Sequence, residues 1–88
     1  MISEAPFEQT WTLQGRLCGQ WAADLKKLWA ETRSSRAGRK CVIDLEDVIS
    51  VDPIGESALL QMATEGARMI ASRAYMKYVL DGLHVAQE

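Results

Sequence analysis

The chain has 88 residues, 48% of them hydrophobic and 25% charged, with six glycines, two prolines and a formal net charge of −2. These proportions are those of an ordinary globular chain and exclude a disordered one; no apolar run is longer than three residues, against the roughly 20 that a membrane helix requires. A chain this short removes only about 60 to 65% of its unfolded surface from water, which leaves little room for a deep substrate cavity and shifts the expectation from enzyme toward binding module.

Met1-Ile2-Ser3-Glu4 lacks the basic start and apolar block of a secretory signal, so a cytoplasmic location is expected. Glu8-Gln9-Thr10-Trp11-Thr12-Leu13 is β-prone and partly alternating, the mark of a strand. Trp21, Leu25, Leu28, Trp29 and Thr32 fall on one stripe of a helix from Gln20 to Arg33, with Lys26, Lys27 and Glu31 on the wet face. The polar stretch Ser34 to Gly38 reads as a turn. Lys40-Cys41-Val42-Ile43-Asp44-Leu45 is too short for a helix and apolar on both parities, which predicts a central parallel strand covered on both faces.

Asp52 directly before Pro53 matches an N-cap followed by the favoured first helical position, so a second helix starts there. Ile54, Ala58, Leu59, Met62, Ala63 and Gly66 share one half of it, opposite Ser57, Gln61 and Thr64, and Leu60 is the apolar exception on the polar side. Gly66 can end this helix, 67–71 reads as a short strand, and Ser72 can cap a last helix carrying Met76, Val79, Leu80 and Leu83, with Gly82 near its end. The resulting order, β-α-β-α-β-α over a single domain 1–88, predicts an α/β fold: a small, mostly parallel sheet with alternating helices and right-handed crossovers. In such sheets the working surface lies at the carboxyl ends of the strands, here the segment from Leu45 to Gly55.

Charge is segregated along the chain. Lys26 to Lys40 contains six basic residues against the single acid Glu31, whereas Asp44 to Glu56 contains five acids and no basic residue. With no overall basic excess, nucleic-acid binding is not expected. Cys18 and Cys41 are 23 positions apart and the sole histidine, His84, is near the end. They read as reduced thiols, with no zinc site. Ser50, Ser57 and Cys41 have no nearby histidine to act as base, so nucleophilic catalysis is not indicated. The tryptophans of the first helix, Trp21 and Trp29, read as core. Asp44 and Asp52, with Glu46 and Asp47 between them, invite a Mg²⁺ and phosphate reading. Helix capping and turn formation account for the same acids without a metal.

The run from Val42 to Gly55, VIDLEDVISVDPIG, followed by Ala58-Leu59-Leu60, resembles the central motif of STAS domains, the sulfate transporter and anti-sigma factor antagonist family. Leu13-Gln14-Gly15-Arg16-Leu17 is similar to that family's strand ahead of its first helix. The resemblance implies a non-catalytic interaction domain that docks through the helix start after the central strand onto a partner such as a serine-kinase anti-sigma factor. In regulated members the residue after the second Asp is a phosphorylatable serine. Here Pro53 holds that position and has no hydroxyl, and neither Ser50 nor Ser57 aligns with it. Glu56 replaces a usual apolar residue, and the chain stops about one helix after its third strand, as a shortened variant would.

The expectation is therefore a cytoplasmic, non-enzymatic module for signalling or transcription regulation in a bacterium. It needs no cofactor or metal, does not insert into a membrane, and contacts a protein partner through Asp52, Pro53, Ile54, Gly55, Glu56 and Leu60. That partner is an anti-sigma factor or serine-kinase-like regulator. Three alternatives stand beside it: an accessory subunit of a bacterial lipid-transport ABC ATPase, a Mg²⁺-dependent phosphate-handling enzyme using Asp44 and Asp52, and a homodimer completed through the last helix or first strand.

Overall fold

In the computed structural model, which describes residues 2–5 and 7–85, eight elements follow one another. They are β1 (Ile2–Ala5), β2 (Glu8–Leu17), α1 (Gly19–Glu31), α2 (Arg33–Arg36), β3 (Lys40–Val51), α3 (Pro53–Thr64), β4 (Arg68–Ile70) and α4 (Ala74–Gly82). The sheet order is β1-β2-β3-β4; β2, β3 and β4 are parallel and β1 is antiparallel to β2. The predicted β-α-β-α-β-α order is present from β2 onward, with β1 and the one-turn α2, in place of part of the expected turn, added to it. No helix among the described residues is long and apolar enough to cross a membrane.

Because β2, β3 and β4 are laid down in one direction across the sheet, right-handed crossovers put α1 and α3 on the same face, where they pack against each other. The sheet is accordingly one-sided. Trp11, Ile43 and Met69 are register partners and buried, while Thr12, Asp44 and Ile70, one step along, are only half-buried. The expectation of a central strand covered on both faces is thus corrected. β3 is central, but Val42 and Asp44 on its other side are only half-buried.

β3 also runs six residues beyond the predicted end, to Val51. Against β2 it carries two extra residues, one between Asp44 and Asp47 and one between Val48 and Ser50. Each bulge turns the chain by one side-chain position. Cys41, Ile43 and Leu45 are buried in alternation, then Val48 takes the inward place and Ile49 is left 57% exposed.

The core is one cluster, which includes an edge-to-face pair of Trp11 and Trp29 (centroids 5.4 Å, interplanar angle 65°). The α1 stripe is rotated from the one expected: Ala22, Leu25 and Trp29 are buried, whereas Trp21 and Leu28 are each 41% exposed. Trp29 is core as expected; Trp21 is not. α3 likewise buries Gly55, Ala58, Leu59 and Met62, leaving Ile54 and Leu60 outside. Its end is a Schellman closure at Gly66 (φ +101°), with Gly66 N–H on the Ala63 carbonyl and Ala67 N–H on that of Met62, both 3.0 Å. Ser72 does not cap α4; Arg73 holds that position, and the Ser72 hydroxyl donates to Glu46 instead.

Candidate docking surface

Asp52 organises the carboxyl end of the sheet. Its Oδ1 accepts from the Gly55 amide (2.7 Å), which caps α3, and its Oδ2 accepts from the Gly19 amide (2.8 Å) at the start of α1. One carboxylate therefore serves the orphan donors of two helices, the second of which has no cap from its own Cys18 side chain. Gly19 sits at φ +57°, a conformation open to glycine at little strain, and this brings its N–H round to Asp52. The Asp52 N–H in turn donates to the Leu17 carbonyl at 3.2 Å, tying the ends of β2 and β3 together.

Hydrogen bonds from Gly19 and Gly55 stabilise the ionised form and hold the Asp52 carboxyl below its usual range, outweighing the opposing effect of desolvation. The sign follows from the folded value being the lower one. Between the two values the unfolded chain binds more protons, so this contribution is complete above about pH 4 and is lost as pH falls through the folded value. Asp52→Asn retains one acceptor oxygen for two amides, so it is less stable than wild type at pH 7. The gap should narrow as pH falls below about 4 in urea titrations; a constant offset from pH 7 through the acid range would show that ionisation of Asp52 contributes nothing.

Pro53 and Ile54 occupy the first turn of α3 and are exposed, Ile54 by 44%. The outer arc of the helix carries Pro53, Ile54, Ser57 and Leu60 (43% exposed), with Lys26 of α1 donating to the Ser57 hydroxyl at 3.0 Å. Glu56 is half-buried beside this arc. Gly55 points the other way. A Cβ there would lie 2.3 Å from the Leu17 carbonyl oxygen and 2.8 Å from Val51 Cγ1, so Gly55, buried, seats the helix on the end of β2. Asp52, expected in the contact surface, is half-buried and spends both carboxylate oxygens on amides, which makes it a positioning residue for the two helix starts.

Residues outside the expected contact set extend the surface. Arg16, Cys18, Ile49, Ser50 and Val51, together with Asp52, line an open groove of about 500 Å³ beside the start of α3. Ile49 escaped notice because its exposure results from the β3 bulges. Tyr75 of α4 closes this end, its hydroxyl accepting from the Val51 amide at 2.9 Å.

The other acids do not converge. Asp44 accepts from the Glu46 amide (3.0 Å), and Glu46 takes the Ser72 hydroxyl. Seven residues of β3 lie between Asp44 and Asp52, matched by only five steps of β2 from Thr12 to Leu17 because of the bulges, which still leaves the two acids on the order of 20 Å apart at about 3.3 Å per step. No group of three His, Cys, Asp or Glu side chains suited to a metal occurs among the described residues. The pairing of Asp44 and Asp52 around Mg²⁺ is therefore not built.

A mixed sheet with three parallel strands, α1 and α3 on one face, and an Asp-capped helix following the central strand define the STAS fold. The chain superposes on the anti-sigma factor antagonist SpoIIAA in its unphosphorylated form with a TM-score of 0.70, at 14% identity, covering 92% of this chain and 80% of that one. No family model matches the sequence, and no curated protein does.

Proposed function

We propose that the chain is a non-catalytic protein-binding module of the anti-sigma factor antagonist kind, which docks a regulatory protein through Pro53, Ile54, Glu56 and Leu60 and acts from the cytoplasm. The observation that carries this reading is Ile54, an apolar side chain held out at the tip of a helix whose backbone is clamped by Asp52 and seated by Gly55. Preorganisation of this kind lowers the ordering that binding requires. Ile49 extends the apolar area across the groove. Pro53 occupies the phosphoacceptor place of regulated STAS domains without a hydroxyl, so binding here is not switched at that position by serine phosphorylation. The resemblance to SpoIIAA supports an anti-sigma factor of the serine-kinase type as the partner.

Affinity capture from a native lysate, with bound proteins identified by mass spectrometry, tests this reading. Wild type should retain such a kinase-like regulator, and Ile54→Arg should lose it while changing stability by no more than about 0.5 kcal/mol, as expected of a surface substitution. Undiminished capture by Ile54→Arg would overturn the surface. Capture of a transporter ATPase in its place would move the module from signalling to lipid transport.

A further inference from the structure

The antiparallel pairing that joins β1 to β2 brings no crossover helix with it. Ile2, the register partner of buried Trp11, is on the helix-bearing face of the sheet and is exposed there. α1 meets α3 by its other flank, where Lys26 reaches Ser57. Trp21 and Leu28, on the flank toward β1, are exposed as well. Between Ile2 and these two side chains lies a groove of about 180 Å³, floored by Trp11, Leu13 and Leu25 of the core.

That volume is below the roughly 300 to 1,000 Å³ of small-molecule sites and suits apolar side chains of a larger partner. The floor decides the form of the partner. A strand added to the free edge of β1 would lie about 10 Å from β2, beyond Trp11 and Leu13. A helix laid over β1 beside α1, with axes roughly 8 to 10 Å apart, covers them. Trp21 and Leu28 are two turns apart, about 10 Å along α1, which matches apolar anchors at i, i+3 or i+4, and i+7 of an amphipathic helix.

The rim decides the charge of that helix. Among the described residues lining the groove, Asp24 alone is charged, and Glu31, two turns on, stands on the same line of α1; both are exposed. Gln20 donates to Asp24 at 2.7 Å, a neutral partner that leaves the rim acidic. Lys27 is turned about 100° from Leu28, toward solvent. A second copy would set the same acids against one another, so like charge disfavours a homodimer through this groove.

We propose that the groove docks an amphipathic helix of a protein partner, its apolar residues on Ile2, Trp21 and Leu28 and a Lys- or Arg-rich flank against Asp24 and Glu31. No residue of it belongs to the docking surface on α3, so either assignment can fail without the other. Three peptides of about 14 residues, four helical turns, test it: an amphipathic leucine-lysine helix, the same with glutamate for lysine, and a scrambled leucine-lysine sequence. Amide and indole shifts of the ¹⁵N-labelled protein are the readout. The lysine helix should give saturable shifts at Ile2, Trp21, Asp24 and Leu28, with a Kd at least tenfold below those of the other two.

Replacing both acids, Asp24→Lys with Glu31→Lys, should reverse the preference toward the glutamate peptide. Trp21→Ala should weaken the lysine helix at least tenfold; if that variant does not fold, Leu28→Gln should weaken it at least threefold. Tyr78→Ala, on the exposed side of α4, should leave it unaltered. Equal binding of the three peptides, or shifts spread beyond the groove, would reduce the contact to apolar adhesion and overturn the proposal, as would an absence of shifts up to about 1 mM peptide. Concentration-dependent broadening at Trp21 and Leu28 without peptide would give the groove to a second copy and overturn it too.

Discussion

Gly55→Ala should lower stability by about 3 kcal/mol, at the upper end of what an overpacked interior usually loses. The added methyl group would lie 2.3 Å from the Leu17 carbonyl oxygen and 2.8 Å from Val51 Cγ1, and only the second of these neighbours can rotate away. Moving the Leu17 carbonyl disturbs the hydrogen bond it receives from Asp52 and, through Asp52, the caps of both α1 and α3. Lifting the helix instead strips contact from Ala58 and Leu59, both buried in the core. In a protein of this length each kcal/mol corresponds to about 4 to 8 °C, so thermal unfolding should shift down by more than 10 °C. An unchanged midpoint would show that the start of α3 does not rest on Leu17. Partner capture by this variant should fail only in proportion to unfolding, because Gly55 offers the partner no side chain.

How much of this was legible in the sequence depends on how local each cause is. The α3 start follows from Asp52 and Pro53 as neighbours, and its end from Gly66 a turn beyond the last apolar position, so both were readable. β2, β3, β4 and the helices between them were placed by hydrophobic period, and the parallel order followed from their alternation. β1 was missed because four residues carry too little pattern and their pairing is decided by the free edge of β2. The bulges of β3 are properties of its register against β2, invisible in either strand alone, and they are what turns Ile49 outward. The second role of Asp52 depends on Gly19, 33 residues away, brought near by the crossover. The place of Gly55 in a helix start is evident in the sequence, whereas the Leu17 carbonyl beneath it is not.

The phase of α1 shows the same limit and carries the second large effect. Trp21, Ala22, Leu25, Leu28 and Trp29 form an apolar arc wider than the sheet and α3 can cover, and periodicity alone does not say which flank is left out. The structure leaves out Trp21 and Leu28 and buries Trp29 to 1% exposure against Trp11. Trp29→Ala should therefore cost about 3 to 5 kcal/mol, combining lost transfer energy with the cavity left under Trp11. Trp21→Ala should cost no more than about 1 kcal/mol. If Trp29→Ala yields no folded protein, Trp29→Phe keeps the comparison measurable and should still exceed Trp21→Ala, since it removes half of the ring system and the edge contact with Trp11. Urea midpoints of the two variants decide the matter: equal losses, or a larger loss at Trp21, would mean that α1 lies on the sheet by its Trp21–Leu28 flank.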